Sequence, residues 1–358
     1  MDKTAIKANI QDNKQKYGGI DLCKLLAAIL IVLLHATETD NIYAVGIQYV
    51  LTRFCVPFFF VCSGFFFHTG LAKAADPKSY FLKYEKRFIL LFLFWGVLIS
   101  SPIVVTDYIR NNPDASPLRL ILLIIRRMFV IGNGAYWYLV ALIISTAFLY
   151  FCYAKKHTLV LVTAMIVGFV LQFGYTSFQG IIASIPLWNQ INRLFYFVFS
   201  WEFNFVMYGI PFCGIGYLIS KFQMRVGRKA SVLMMLIFTV LRAAEYSLQS
   251  LSLSFWSDNA TSIMFIPQAV AFFFLATNIR GIPRYAKEMR QLSTFIYLIH
   301  WIILYNILNP LLSSWLGINV YAPSLIPAKV VIVVSVCVCL NFCLRKTNNR
   351  YIHFLIGG

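Results

Sequence analysis

Long apolar runs alternate with short polar connections along almost the whole chain. Runs of about 18–22 residues match the roughly 30 Å hydrocarbon core of a bilayer, because a helix rises about 1.5 Å per residue. Such runs lie near 20–38, 47–70, 85–106, 135–154, 157–175, 203–220, 231–248, 259–278, 292–313 and 323–344. The pattern predicts an all-α polytopic membrane protein with about ten transmembrane helices. Residues 20–344 form one transmembrane domain in this reading, flanked by polar tails at 1–19 and 345–358. The first run has the basic flank and apolar core of a signal peptide. No small-residue cleavage site follows it, however, and nine more apolar segments do, so it reads as the first span.

Positive charge in the connections alternates and fixes the expected orientation. Lys73, Lys78, Lys83, Lys86 and Arg87 follow the second run, and Lys155 and Lys156 follow the fourth. Lys221, Arg225, Arg228 and Lys229 follow the sixth; Arg280, Arg284, Lys287 and Arg290 follow the eighth; Arg345, Lys346 and Arg350 follow the tenth. The intervening loops are poor in Lys and Arg, which places both termini in the cytoplasm. One segment resists: LRLILLIIRRMFVIG (118–132) is apolar yet carries Arg126 and Arg127. Counting it as a span would invert every later loop, so an interfacial or re-entrant helix is expected there.

Composition supports the membrane reading. Of 358 residues, 60% are hydrophobic and only 12% charged, with a mean hydropathy of +0.74. A soluble domain carries about a quarter charged residues, so most of this surface faces lipid. The net charge of +18 sits in short clusters between spans, so it marks topology, and no nucleic-acid partner is expected. The eight cysteines form no CxxC or haem-attachment pattern, read as small hydrophobes, and give no metal site.

Ionisable groups inside lipid cost roughly 2.5–3.5 kcal/mol each, so they face a cavity or a partner. The first span carries four: Asp21, Lys24, His35 and Glu38. At about 100° per residue, Lys24 lies about 20° from His35, Asp21 about 40° and Glu38 about 60°. They share one stripe. Asp21 and Lys24 are spaced to pair near the cytoplasmic end, as are His35 and Glu38 near the outer end. A carboxylate beside a histidine suits a general base acting on a hydroxyl. The plainer alternative is that Asp21 merely starts the helix and Lys24 snorkels to the headgroups.

Other polar residues are candidates at various depths. Arg53, in the outer third of the second span, sits at about the depth of His35 and could hold an anionic group or a carbonyl, or snorkel outward. Pro57 is expected to bend that helix, with Ser63 and Gly64 allowing close packing. His300 falls about 12 Å from the cytoplasmic side, counting from residue 292. That depth differs from that of His35, so the two are not expected to form one dyad. Arg242 and Glu245 are an i, i+3 pair near the outer end of the seventh span, either a helix-end ion pair or, with His300, part of a substrate vestibule.

Several stretches resemble the integral-membrane acyltransferase family 3, and within it the membrane domain of vancomycin-resistance serine racemases. They are the Asp21, Lys24 and His35 spacing, TRFCVPFFFVCSGFFF (52–67), KYEKRF (83–88), GAYWYLVAL (134–142), MYGIPFCGIGYLI (207–219) and IYLIH (296–300). Two positions depart. Lys24 stands where the family has arginine, which keeps the charge and loses the planar fork. WEFNF, with Glu202, stands where the racemase-type domain has Arg-Asn-Gly. The resemblance implies acyl transfer across a bacterial plasma membrane, from cytoplasmic acetyl-CoA or another acyl-CoA to a hydroxyl of an extracytoplasmic glycan or related acceptor. It makes His35 the general base or transient acyl acceptor, with Glu38 orienting it and Arg53 stabilising the carbonyl. Asp21, Lys24, Lys83, Lys86 and Arg87 would serve the cofactor end. The rival function is a small-solute, amino-acid-type transporter, although no inverted repeat or paired broken helices are evident.

Overall fold

A computed structural model of the chain describes residues 17–37, 41–132, 134–175, 177–178, 184–199, 204–250, 262–280, 285–347 and 349–357. Among these residues the fold is helical throughout, without strands. In chain order the α-helices are α1 (Gly18–Ala36), α2 (Ile42–Thr52), α3 (Cys55–Lys73), α4 (Pro77–Leu91) and α5 (Ser101–Asn111). Next come α6 (Pro117–Ile125), α7 (Trp137–Ala154), α8 (Thr158–Tyr175), α9 (Pro186–Phe199) and α10 (Ile210–Lys221). The last are α11 (Arg228–Ser250), α12 (Phe265–Asn278), α13 (Ala286–Trp301), α14 (Ile326–Arg345) and α15 (Arg350–Leu355).

Six helical runs among the described residues are long and apolar enough to cross a membrane: Gly18–Ala36, Tyr43–Lys73, Gly134–Ala154, Arg228–Leu248, Ala286–Trp315 and Pro323–Arg345. Pro77–Ile99 and Ser101–Asn111 meet the same test as one bent pair. Thr158–Gly174, Phe205–Lys221 and Phe265–Asn278 are apolar but shorter. The chain is a multi-pass membrane protein. Its outward apolar side chains, such as Val331 at 63% exposure and Val170 at 56%, suit contact with lipid tails rather than water.

The chain divides into two compact units, with the boundary inside α3 between Phe59 and Phe60. The first unit comprises the described residues up to Phe59, Arg225–Leu248 and those from Ser262 onward. Its centre is α1 against α13 and α14, where Ala28, Val32 and Ala36 recur every fourth residue and meet Ile296, Leu304 and Val333. Lipid offers no hydrophobic drive for such contacts, so small residues that let backbones approach do the packing. Gly19 is one: a Cβ there would overlap the carbonyl oxygen of Ala276 and the side chain of Ile279.

The second unit holds Phe60–Met224. Gly64 packs onto the backbone of Cys213 and Gly216 onto that of Val61, the close approach expected of Gly64. The segment 118–132 is helical from Pro117 to Ile131, about 22 Å long at 1.5 Å per residue and so short for a span. No residue of α6 is buried. Arg126 donates from Nε to the carbonyl of Val198 at 3.0 Å, which ties this helix to the end of α9. The hydropathy pattern did not predict α9, because its apolar residues are interleaved with Asn189, Gln190, Asn192 and Arg193.

Candidate functional site

The sequence folds locally to place one arginine at a helix break. Proline has no N–H and crowds the carbonyl four residues earlier, and four before Pro57 is Arg53. The helix duly turns at Arg53 and Phe54 before resuming at Cys55. Arg53 lies with its guanidinium 4.5 Å over the ring of Tyr49, and Tyr49 stacks on Tyr246 at 5.7 Å. Its buried Nε finds no hydrogen-bond acceptor among the described residues. Its charge acts on His35.

His35 sits near the end of α1, partly buried. The expectation that His35 and His300 lie at different depths is corrected here: their rings stack with centroids 5.4 Å apart. The reason lies at the start of α13. That helix begins at Ala286, six residues before the apolar run, which carries His300 about 9 Å deeper than the count from residue 292. Trp301 meets the His35 ring edge-on at 4.9 Å, and Tyr305 donates its hydroxyl to the His35 carbonyl at 3.1 Å. Both aromatics lie where α13 passes into a wider π-helical turn, Ile302–Leu308, a feature common at functional sites.

His300 is fully buried. Its Nδ1 lies 2.8 Å from the carbonyl of Ile296 and 2.9 Å from that of Tyr297. A carbonyl only accepts, so Nδ1 carries a proton and donates it. Neutral His300 therefore presents Nε2 as a bare acceptor, and this atom has no hydrogen-bond partner among the described residues. Nε2 is therefore the ring nitrogen that can accept a proton or a hydrogen bond.

The remaining predicted residues fall elsewhere. Glu38 lies outside the described residues. Asp21 meets Arg290 of α13, with Nε and Oδ1 3.9 Å apart, while Lys24 also acts on its charge. Lys83, Lys86 and Arg87 stand exposed on α4 in the second unit. Arg242 and Glu245 are buried, 3.9 Å apart. Glu245 accepts from the hydroxyl of Ser262 and from the backbone N–H groups of Ile263 and Met264 at 2.9 and 3.2 Å. That carboxylate caps the approach to α12, as a helix N-terminus demands. Sequence reasoning missed Trp301, Tyr305 and Tyr49, because aromatic residues in apolar runs carry no signal beyond packing. Trp301 does follow IYLIH directly, and Tyr305 stands one turn beyond it. No group of three or more His, Cys, Asp or Glu that could hold a metal occurs among the described residues.

Residues 17–343 match a family model described as an acyltransferase domain. Two amino-acid racemases of Enterococcus faecalis are similar to the chain. One is 24% identical over 307 residues, covering 81% of this chain and 41% of its own length. The other is 26% identical over 273 residues, covering 75% and 37%. The chain thus spans about two fifths of the length of the curated relatives it matches. No solved structure matches.

Proposed function

The chain belongs to the acyltransferase-domain family, and on that premise we propose that it transfers an acyl group, acetyl in the simplest case, from cytoplasmic acyl-CoA to a hydroxyl of an extracytoplasmic glycan or related acceptor. The observation that carries this reading is the histidine pair: His35 stacked on His300, whose buried Nε2 is uncommitted. His35 takes the proton of the acceptor hydroxyl as its oxygen attacks the thioester carbonyl. The C–O bond forms, the C–S bond breaks, and the departing CoA sulfur receives a proton in turn, so the base is restored. His300 stands beside His35 to share that proton. Arg53, with a donor unspent, stabilises the oxyanion that forms on the carbonyl. Glu38 orients His35, while Lys24, beside Asp21, and the exposed Lys83, Lys86 and Arg87 attract the anionic donor through their charge.

In this topology the chain crosses the plasma membrane ten times. The six long helical runs, the bent run from Pro77 to Asn111 and the three shorter apolar helices supply the crossings. Residues 20–344 then act as one acyltransferase domain with both tails in the cytoplasm, the side the basic clusters favour. A second reading, amino-acid transport, draws on the names of the two racemase relatives; in it the stripe on α1 binds a zwitterion or conducts protons.

One experiment separates them. Purified protein in detergent is incubated with acetyl-CoA and the appearance of free thiol is followed for wild type and His35→Ala. Thiol release above background that vanishes in the variant is the expected result. No release in either, together with no thermal stabilisation by CoA, would move the assignment to transport.

A further inference from the structure

The basic end of the first unit contains a cavity that the histidine site does not use. Its volume is about 390 Å³, and Arg228, Asn278, Ile279 and Arg280 line it. That size lies within the range of small-molecule sites, roughly 300–1,000 Å³. Neither lining charge is acidic and both are guanidinium groups, the side chains best matched to phosphate oxygens through paired N–H donors.

The cavity is held open by defined contacts. Asn278, at the end of α12, donates its side-chain amide to the carbonyl of Val226 at 2.9 Å and to that of Phe274 at 2.8 Å. This pins the loop before α11, so that Arg228, the first residue of α11, stands at the rim. The first-turn N–H groups of that helix lack intrahelical acceptors and add partial positive charge there. Behind the wall, α1 packs through Gly19 against Ala276 and Ile279, which leaves little freedom to collapse. Arg228 and Arg280 are themselves exposed, as are Lys83, Lys86 and Arg87 along α4, but they share one cavity wall with Asn278 and Ile279.

We propose that this cavity binds the phosphate groups at the nucleotide end of the acyl donor, with Arg228 and Arg280 as its paired cations. The inference rests on the acyl-CoA reading above and gives that donor a seat on the first unit. An anionic lipid headgroup carries the same phosphate chemistry, so the test separates the two sources.

Protein in nanodiscs of neutral lipid is titrated with CoA by calorimetry, comparing wild type, Arg228→Gln/Arg280→Gln, the charge-keeping Arg228→Lys/Arg280→Lys, and His35→Ala. The expected result is at least about tenfold weaker CoA binding in the glutamine variant, partial recovery in the lysine variant and no change in His35→Ala. Wild-type affinity in a folded glutamine variant overturns the inference and leaves the acyl-CoA reading intact. Loss of phosphatidylglycerol retention by native mass spectrometry, with CoA affinity unchanged, also overturns it and assigns the cavity to lipid. No CoA binding by wild type defeats both readings together.

Discussion

Glu245 in the first unit and Glu85 in the second are equally hidden, each 7% exposed, yet their surroundings have little in common. Glu245 is saturated: Ser262, the N–H groups of Ile263 and Met264, and the Arg242 guanidinium all converge on it. Among the described residues Glu85 accepts one hydrogen bond, from the hydroxyl of Thr146 at 2.5 Å. Even that hydroxyl also lies 2.8 Å from the carbonyl of Leu142, and a single proton cannot fully serve both. Burial alone therefore says little about what a membrane carboxylate does. The donors around it say more: Glu245 organises a helix start, whereas Glu85 is tied to one neighbouring helix, α7, by one shared hydrogen.

Three substitutions test that contrast, and the largest effect is expected at Glu245→Ala. It removes the carboxylate 3.9 Å from the buried Arg242 and leaves the N–H groups of Ile263 and Met264 without that acceptor. A loss of about 3–5 kcal/mol is expected, as when one partner of a buried pair is removed, seen as a fall in the denaturant midpoint of the solubilised protein. Ser262→Ala removes one donor from the same carboxylate and should cost about 1–2 kcal/mol in that titration. Glu85→Gln should cost under about 1 kcal/mol, because its amide oxygen still accepts from Thr146. A Glu85→Gln protein as unstable as Glu245→Ala would erase the distinction.

Much of the fold was legible in hydropathy. The apolar runs overlap helices among the described residues, six of them long enough to span, because lipid forces every backbone polar group to bond within its own segment. The ends were less legible where charge was mistaken for loop. Lys287, Glu288 and Arg290 read as a connection, but α13 runs through them, since Glu288 meets Arg345 at 3.5 Å and Arg290 meets Asp21 at 3.9 Å. Those tertiary pairs cannot be seen in a local pattern, and the error in start position displaced His300 from its true level. The candidate site was legible as residue types on one stripe of α1. Its partners were not, because Trp301, Tyr305 and Tyr49 look in sequence like any other membrane aromatic.

The meeting of Asp21 with Arg290 also has a consequence for biogenesis. Some 270 residues separate them, and at roughly 5–20 residues per second the ribosome needs about 15–50 seconds to deliver the second after the first. Throughout that interval α1 holds a carboxylate and an imidazole whose partners on α13 have not been made. The newborn helix must wait, sheltered by the insertion machinery or seated shallowly at the lipid surface, until the late helix arrives to complete it.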